Sequence, residues 1–379
     1  GPLADVKVLD LTRMYPGGFG TLLLADLGAR VLKVESPVGG DGMRGFAPPG
    51  QFNATHTALN RGKQSLALDL RHPEAADVLK RLAKWADVVT ESHKPGQLDK
   101  LGLGYQVMSA ENPRIIWCSL TGFGDFGPNA QAPGHDLTYM GYSGMLSRLS
   151  VGVTEAHNTH ISLPLAGIMS AVGILAALRE RDRTGHGTRL DVNMCDTAIW
   201  TMSDEIAKSV REPGAGWGSF VSRRVYDCAD GKQVTVTSTE PKAWAALIQA
   251  LELPELAGFR LGVDDDAGAT VLVAGRIRTK PAAAWLADPG LEGGVGPVHE
   301  PVDLIEDPQL IGRGSLVSLP RSGDKVFANP IRFESADGST ASHGLSDPPE
   351  LGEHTAQSLR DAGFSEPEID ALLKKGVVT

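Results

Sequence analysis

Residues 6–34 read VKVLDLTRMYPGGFGTLLLADLGARVLKV, and this stretch decides the fold class. Val6–Leu11 is a short apolar run that reads as a buried strand. Tyr15-Pro16-Gly17-Gly18 reads as a turn, and Phe19–Leu27 places apolar residues at helical spacing until Gly28 closes the helix. Val31–Val34 is the next strand. Strand, helix and strand in this order make a β-α-β unit, whose helix amino terminus offers unpaired N–H groups to an anion. The glycines do not spell GxGxxG and no Walker sequence occurs, which argues against a nicotinamide or ATP site. Gly17 and Gly18 fit a plain tight turn equally well.

Outward from this unit the alternation continues. Ser65–Leu70, Asp87–Glu91 and Ile115–Leu120 read as strands, and His72–Trp85 as a helix. Leu165–Arg181 has its large apolar residues at helical spacing with small ones between, which predicts a packed helix. Arg189–Met194 is a further strand or helix entry. Regular alternation of this kind predicts an α/β fold: a mostly parallel sheet covered by helices, over residues 1–210. The texture then changes. Glu212–Gly218 is loop-like, Lys232–Thr237 is β-rich after the turn Asp230-Gly231, and Trp244–Leu251 is helical. Residues 215–320 are therefore expected to form a smaller α+β domain, and the tail 321–379, with a helical segment in Gly352–Leu373, to return to the large one.

Composition narrows the function. The 379 residues hold 36 basic and 46 acidic side chains, a net charge of -10, which argues against a nucleic-acid binder but leaves room for a local basic pocket. Cys118, Cys195 and Cys228 are far apart with no CxxC spacing, so neither a disulfide framework nor a cysteine zinc site is expected, and a reducing cytoplasm is the simplest home. No apolar run approaches 18 residues by eye and no signal pattern opens the chain, so no membrane partner is expected.

A few polar residues stand beside glycine-rich turns. His135, in Pro133-Gly134-His135-Asp136, is placed where catalytic residues often lie, and an imidazole exchanges protons near neutral pH with Asp136 available to orient it. The same histidine equally reads as the start of a following helix. Glu240 precedes Pro241 and reads either as an acid/base partner or as a helix-start carboxylate. His157 and His160 share a loop without a third ligand at metal spacing, so no metal site is expected. Arg61-Gly62-Lys63 is a compact basic turn suited to phosphates, or an ordinary surface turn.

Taken in order, several segments resemble the family III CoA-transferases, a superfamily that includes α-methylacyl-CoA racemase and the formyl-CoA and carnitine CoA-transferases. These are VLDLTR (8–13), LLLADLGARVLKVESP (22–37), LNRGKQSLALDL (59–70), ESHKPGQLDKLGLGY (91–105), NPRIIWCSLTGFGDFGPNAQAPGHDLTY (112–139), GILAALRERDRTGHGTRLDVNMCD (173–196) and LGEHT (351–355). The resemblance implies a Rossmann-like large domain, a small domain, and an interlaced, ring-like homodimer. Coenzyme A or an acyl-CoA thioester would be the substrate, with no permanently bound cofactor. Arg61 and Lys63 would lie near the CoA phosphates, Lys94 and Lys100 on the CoA-binding stretch, and Arg13 on the loop beside the first helix. Racemases often carry arginine where this chain has Ser36, a contact that Arg44 would have to supply.

The sequence GHDLTY (134–139) resembles the racemase form, in which histidine is one of two proton carriers, and Glu240 matches the racemase glutamate that supports it from the other subunit. Both branches also carry an aspartate before the helix that follows. Here that place falls on Ser162 or Leu163, and no carboxylate occurs between Ala156 and Glu180. Three readings follow. One is a racemase using His135, with Glu240, Glu155 or His160 as the second carrier. Another is a CoA-transferase working without the usual aspartate. The last is a CoA-binding, catalytically reduced subunit paired with a paralogue.

Overall fold

The computed structural model describes residues 1–48, 53–149, 159–212, 220–261, 264, 266–334 and 345–379. Its larger unit, Gly1–Ile206 with Ser315–Thr379, is built on six strands: β1 (Lys7–Leu11), β2 (Arg30–Glu35), β3 (Gln64–Ala67), β4 (Val88–Glu91), β5 (Ile116–Thr121) and β6 (Arg189–Asn193). They lie in the order β3–β2–β1–β4–β5–β6, and every neighbouring pair is parallel. This is the doubly wound α/β order. Register places Leu9 beside Leu32 on one side and Val89 on the other. Every residue of β4 and β5 is buried, as expected of parallel strands covered on both faces.

Five helices of this unit matter below: α1 (Met14–Asp26), α2 (Ala75–Trp85), α3 (Asp136–Tyr142), α4 (Ser162–Thr184) and α5 (Met194–Thr201). Two apolar layers flank the sheet. Leu9, Leu32, Leu66 and Trp117 pack with Leu79 and Leu82 of α2. Val8, Val31, Val88 and Ile116 pack with Leu24 of α1 and Ala171 and Ile174 of α4.

The first helix begins at Met14, five residues earlier than the apolar spacing indicates, so Gly17 and Gly18 lie within a helix and make no turn. Close packing explains it. A side chain at Gly17 would overlap Thr12, and a Cβ at Gly20 would stand 2.5 Å from Ser170 Oγ and 2.8 Å from the Gly167 carbonyl. Reciprocally, a Cβ at Gly167 would stand 2.7 Å from the Pro16 carbonyl. The glycines let α1 and α4 approach backbone to backbone, and that contact outweighs their poor helix propensity.

Helix α4, 23 residues long, is also apolar and long enough to cross a membrane, against the expectation that no run nears 18. Glycines and serines interrupt its apolar residues and conceal the length. Its buried side, including Ser162, Ala166, Ser170 and Ile174, belongs to the core of the unit.

The second unit, Ala207–Gly314, has an antiparallel sheet of β7 (Arg223–Asp227), β8 (Gln233–Thr237) and β9 (Val295–Pro297). Helices α6 (Pro241–Ala250) and α7 (Asp266–Ile277) cover it, and Val234, Val236, Trp244, Leu247 and Val273 form the core. In the tail, α8 (Thr355–Asp361) and α9 (Glu366–Lys374) place Leu359, Ile369 and Leu372 in the same apolar layer as Leu66 and Leu79. Backbone bonds His354 N–H to Ser65 C=O (2.9 Å) and Thr379 N–H to Ala67 C=O (3.2 Å) tie the tail to β3.

Candidate functional site

In this strand order ligands bind outside the carboxyl ends of the central strands, where β1 and β4 diverge. A cavity of about 660 Å³ lies over the carboxyl ends of β1, β2 and β3, bordered by Arg13, Met14, Ser36, Asp41 and Arg71, with His93 reaching it from the loop after β4. That volume suits a nucleotide-sized ligand.

The loop Thr12–Met14 forms one wall and is held by polar groups from several neighbouring segments. Asp10 accepts from the Thr12 N–H (2.9 Å) and hydroxyl (2.6 Å), and from Thr21 Oγ1 (2.7 Å). Lys33 Nζ donates to the Thr12 carbonyl (3.0 Å) and pairs with Asp41 (2.9 Å). Ser92 Oγ accepts from the Arg13 N–H (2.8 Å), joining the loops after β1 and β4. The Met14 N–H donates to both Asp41 oxygens (3.2 and 3.3 Å). Met14 has φ 61°, a left-handed conformation rarely adopted by a non-glycine residue. Such strain persists only where surrounding contacts over-determine it, and it is concentrated at functional sites.

Charge around the cavity is arranged by pairing. Burial would raise the Glu35 carboxyl, but two hydrogen bonds from Arg44 (2.7 and 2.8 Å) and one from Ser65 Oγ (2.7 Å) hold it at about 2. Burial works against the Lys33 ammonium, and Asp10 with Asp41 outweighs it, raising its pKa. These acids are thus neutralised by their own cations, while the Arg13 and Arg71 side chains are exposed on the cavity border. Lys94, on the loop after β4, and Lys100, on the short helix Gln97–Lys100, are also exposed.

Arg61 and Lys63 are not among the residues that border this cavity. Both are 3% exposed. Arg61 pairs with Asp26 of α1 and donates to the Phe327 carbonyl (3.2 Å). Lys63 donates to the Gly18 carbonyl (3.0 Å) and Asn60 Oδ1 (3.1 Å), 3.7 Å from Asp10. Burial pulls its ammonium down to about 7, offset in part by Asp10. In this chain the basic turn faces inward and fastens α1 to β3, because Asp26 and Asp10 offer partners at the right depth.

His135 is exposed at the N-cap of α3, where its N–H donates to Thr138 Oγ1 (3.3 Å). Asp136 does not serve as its orienting partner. Its buried carboxylate accepts from the Ile161 N–H (3.0 Å), the Leu163 N–H (3.0 Å) and Ser162 Oγ (2.6 Å). It therefore caps α4 from a distant segment and satisfies donors that the first turn leaves unpaired. Ser162 is the first helical residue of α4 and fully buried. Glu240 is exposed at the N-cap of α6 in the second unit. Glu155 and His157 lie outside the described residues.

Several site residues escape sequence reasoning: Ser92, His93, Arg71, and the pair Lys33 with Asp41. The available signal is a lysine inside an otherwise apolar strand, VLKV, since a buried cation requires a buried acid nearby.

A doubly wound sheet, a crevice of nucleotide size over its strand ends with exposed arginines on the border, and an exposed histidine at a helix start together define this α/β protein. The chain belongs to CoA-transferase family III, whose model matches residues 3–355. It is accordingly an enzyme of acyl-CoA transfer or racemisation. It is 31% identical to the succinyl-CoA–L-malate CoA-transferase beta subunit of Chloroflexus aurantiacus, with 100% of this chain and 98% of that protein covered. It is also 31% identical to the α-methylacyl-CoA racemase of Homo sapiens, over 98% of this chain and 96% of that one. Among solved structures, a CAIB/BAIF family protein from Brucella suis superposes with a TM-score of 0.83 at 30% identity, covering 95% and 99% of the two chains.

Proposed function

We propose that the chain binds an acyl-CoA thioester with its phosphorylated nucleotide in the cavity after β1–β4, and exchanges the proton on the carbon beside the thioester carbonyl, with His135 as acid/base. The basic residues Arg13 and Arg71 meet the phosphates from the cavity border, with Lys94 and Lys100 further along the strand ends. The observation that carries the proton-transfer reading is the start of α4. Its first turn holds Ser162 and Leu163 and no carboxylate, and the Asp136 carboxylate beside it is committed to three donors. Covalent CoA transfer through an anhydride needs a carboxylate nucleophile, whereas proton exchange needs only groups that hold and release a proton.

The Chloroflexus relative, by its name, favours a second reading, transfer of CoA between two acids. Its designation as a beta subunit favours pairing with a paralogue. Incubation with a panel of 2-methylacyl-CoA thioesters in deuterated water, followed by mass spectrometry, separates these readings. Deuterium at the α-carbon supports the racemase. CoA moved from succinyl-CoA to an added acid, without deuterium uptake, replaces it with the transferase.

We also place the chain in a homodimer. Ile168 and Val172 of α4 and Trp200 of α5 are exposed, Trp200 at 65%, a large apolar surface for a lone chain. In an interlaced pair the second copy would cover it and would supply Glu240 to His135. Light scattering that finds a stable folded monomer at micromolar concentration would remove this part of the proposal.

A further inference from the structure

The start of α4 carries a group that the acyl-CoA reading has not used. His160 is exposed two residues before Ser162, and its ring meets the edge of Tyr15 with centroids 4.9 Å apart and planes at 65°. Tyr15 is the second residue of α1, directly after the strained Met14 that borders the cavity. On its other side Tyr15 stacks on Phe19 at 6.1 Å and 15°. Arg13 and Met14 border the cavity, and Tyr15, the next residue along the chain, touches His160.

We infer that His160, oriented by Tyr15, is the second proton carrier of this enzyme, standing at the helix start where the resemblance places an aspartate. The inference rests on the acyl-CoA reading above and names the partner of His135. Three features support the assignment. His160 is exposed, whereas Ser162 is fully buried and Asp136 is only 5% exposed. Asp136 is occupied in capping α4, so it is not available as a carrier. Tyr15 is half-buried and stacked on Phe19, which fixes its ring as a surface for the imidazole, and burial with the nearby Asp136 charge raises its phenol.

The step balances. Neutral His160 takes the α-hydrogen as a proton, the C–H electron pair moves into the thioester to form an enolate, and an N–H bond forms. Protonated His135 returns a proton to the same carbon from the opposite face as the carbonyl re-forms. The substrate leaves inverted and otherwise unchanged, and the two imidazoles reset through solvent. Tyr15 is a positioning residue in this scheme.

The test follows deuterium uptake from each epimer of a 2-methylacyl-CoA separately, beside calorimetry of acetyl-CoA binding, in the full-length protein. His160→Ala should lower uptake starting from one epimer by about 100-fold or more and leave uptake from the other within about tenfold. Acetyl-CoA affinity should stay within about threefold. His160→Asp, which returns an acid/base to the same place, should restore part of the lost uptake, and Tyr15→Phe should cost less than Tyr15→Ala. Equal loss from both epimers, or no loss from either, overturns the role of His160. Acetyl-CoA binding without any uptake in the unaltered protein overturns both the carrier and the racemase reading. Failure of the unaltered protein to bind acetyl-CoA overturns the assignment of the cavity.

Discussion

The crevice at the ends of β1–β3 and the starts of α3 and α4 treat polar side chains in opposite ways. Around the crevice, Lys33, Asp41, Glu35 and Arg44, and deeper in the unit Arg61 and Lys63, are drawn inside and engaged with one another or with nearby acids. At the helix starts, a single carboxylate is buried as a cap while His135 and His160 remain exposed. The first arrangement fixes a strained loop against a cavity. The second leaves two imidazoles at the surface. A charged residue in a family-like segment therefore says little about ligand contact until its depth is known.

The largest expected effect breaks the first region. Asp41→Ala takes away the salt-bridge partner of the buried Lys33 ammonium, leaving it Asp10 and the Thr12 carbonyl, and releases Met14, so urea unfolding should lose about 3–5 kcal/mol, and CoA affinity should fall with the loop. Arg61→Ala should lose stability on the same scale yet leave CoA affinity within about threefold, since Arg61 sits inside the unit. A large loss of affinity in Arg61→Ala with stability intact would restore its expected place at the phosphates.

Next in size is an acid effect at Glu35. Its ordinary value is 4.5 and its folded value is about 2. A depressed acid contributes its full stability above the unfolded value and loses it as pH falls through the folded one. About 3 kcal/mol should therefore disappear between pH 4.5 and 2. Denaturant titrations across that window should show a flatter profile in Glu35→Gln. Profiles of equal slope would contradict the Arg44 pairing.

A smaller change sharpens the second region. Asp136→Ala leaves the Ile161 and Leu163 N–H groups and Ser162 Oγ without their acceptor and should cost about 1–3 kcal/mol in urea unfolding, with Asp136→Asn milder because its carbonyl still accepts. If stability is unchanged but deuterium uptake is abolished, Asp136 is an acid/base after all. The smallest effects belong to the cavity border. Arg13→Ala and Arg71→Ala should each weaken CoA binding about tenfold, close to 1.5 kcal/mol, measured by calorimetry. Unchanged affinity in both would remove the phosphates from this cavity.

By itself the sequence determined the fold class, a mostly parallel sheet covered by helices, since strand-helix alternation through residues 6–120 leaves few other ways to bury so many apolar strands; the doubly wound strand order came from the structure. The sequence also determined family membership, through segments spread from Val8 to Thr355, and that positions 162 and 163 hold no carboxylate. His135 at a helix start was legible too, because Gly134-His135-Asp136 marks a turn into a helix. Tertiary structure alone decided the depth of Arg61 and Lys63, because the acids that draw them inward, Asp26 and Asp10, are 35 or more residues away in the chain. It alone turned Asp136 from His135 to α4, across a separation of 25 to 27 residues. It also set the start of α1, where close packing of Gly17 on Thr12 and of Gly20 on Gly167 overrides local glycine propensity. Pattern reports on a residue's neighbours along the chain. A hydrogen bond, an ion pair or a ring contact such as Tyr15 on His160 depends on what folding brings across space.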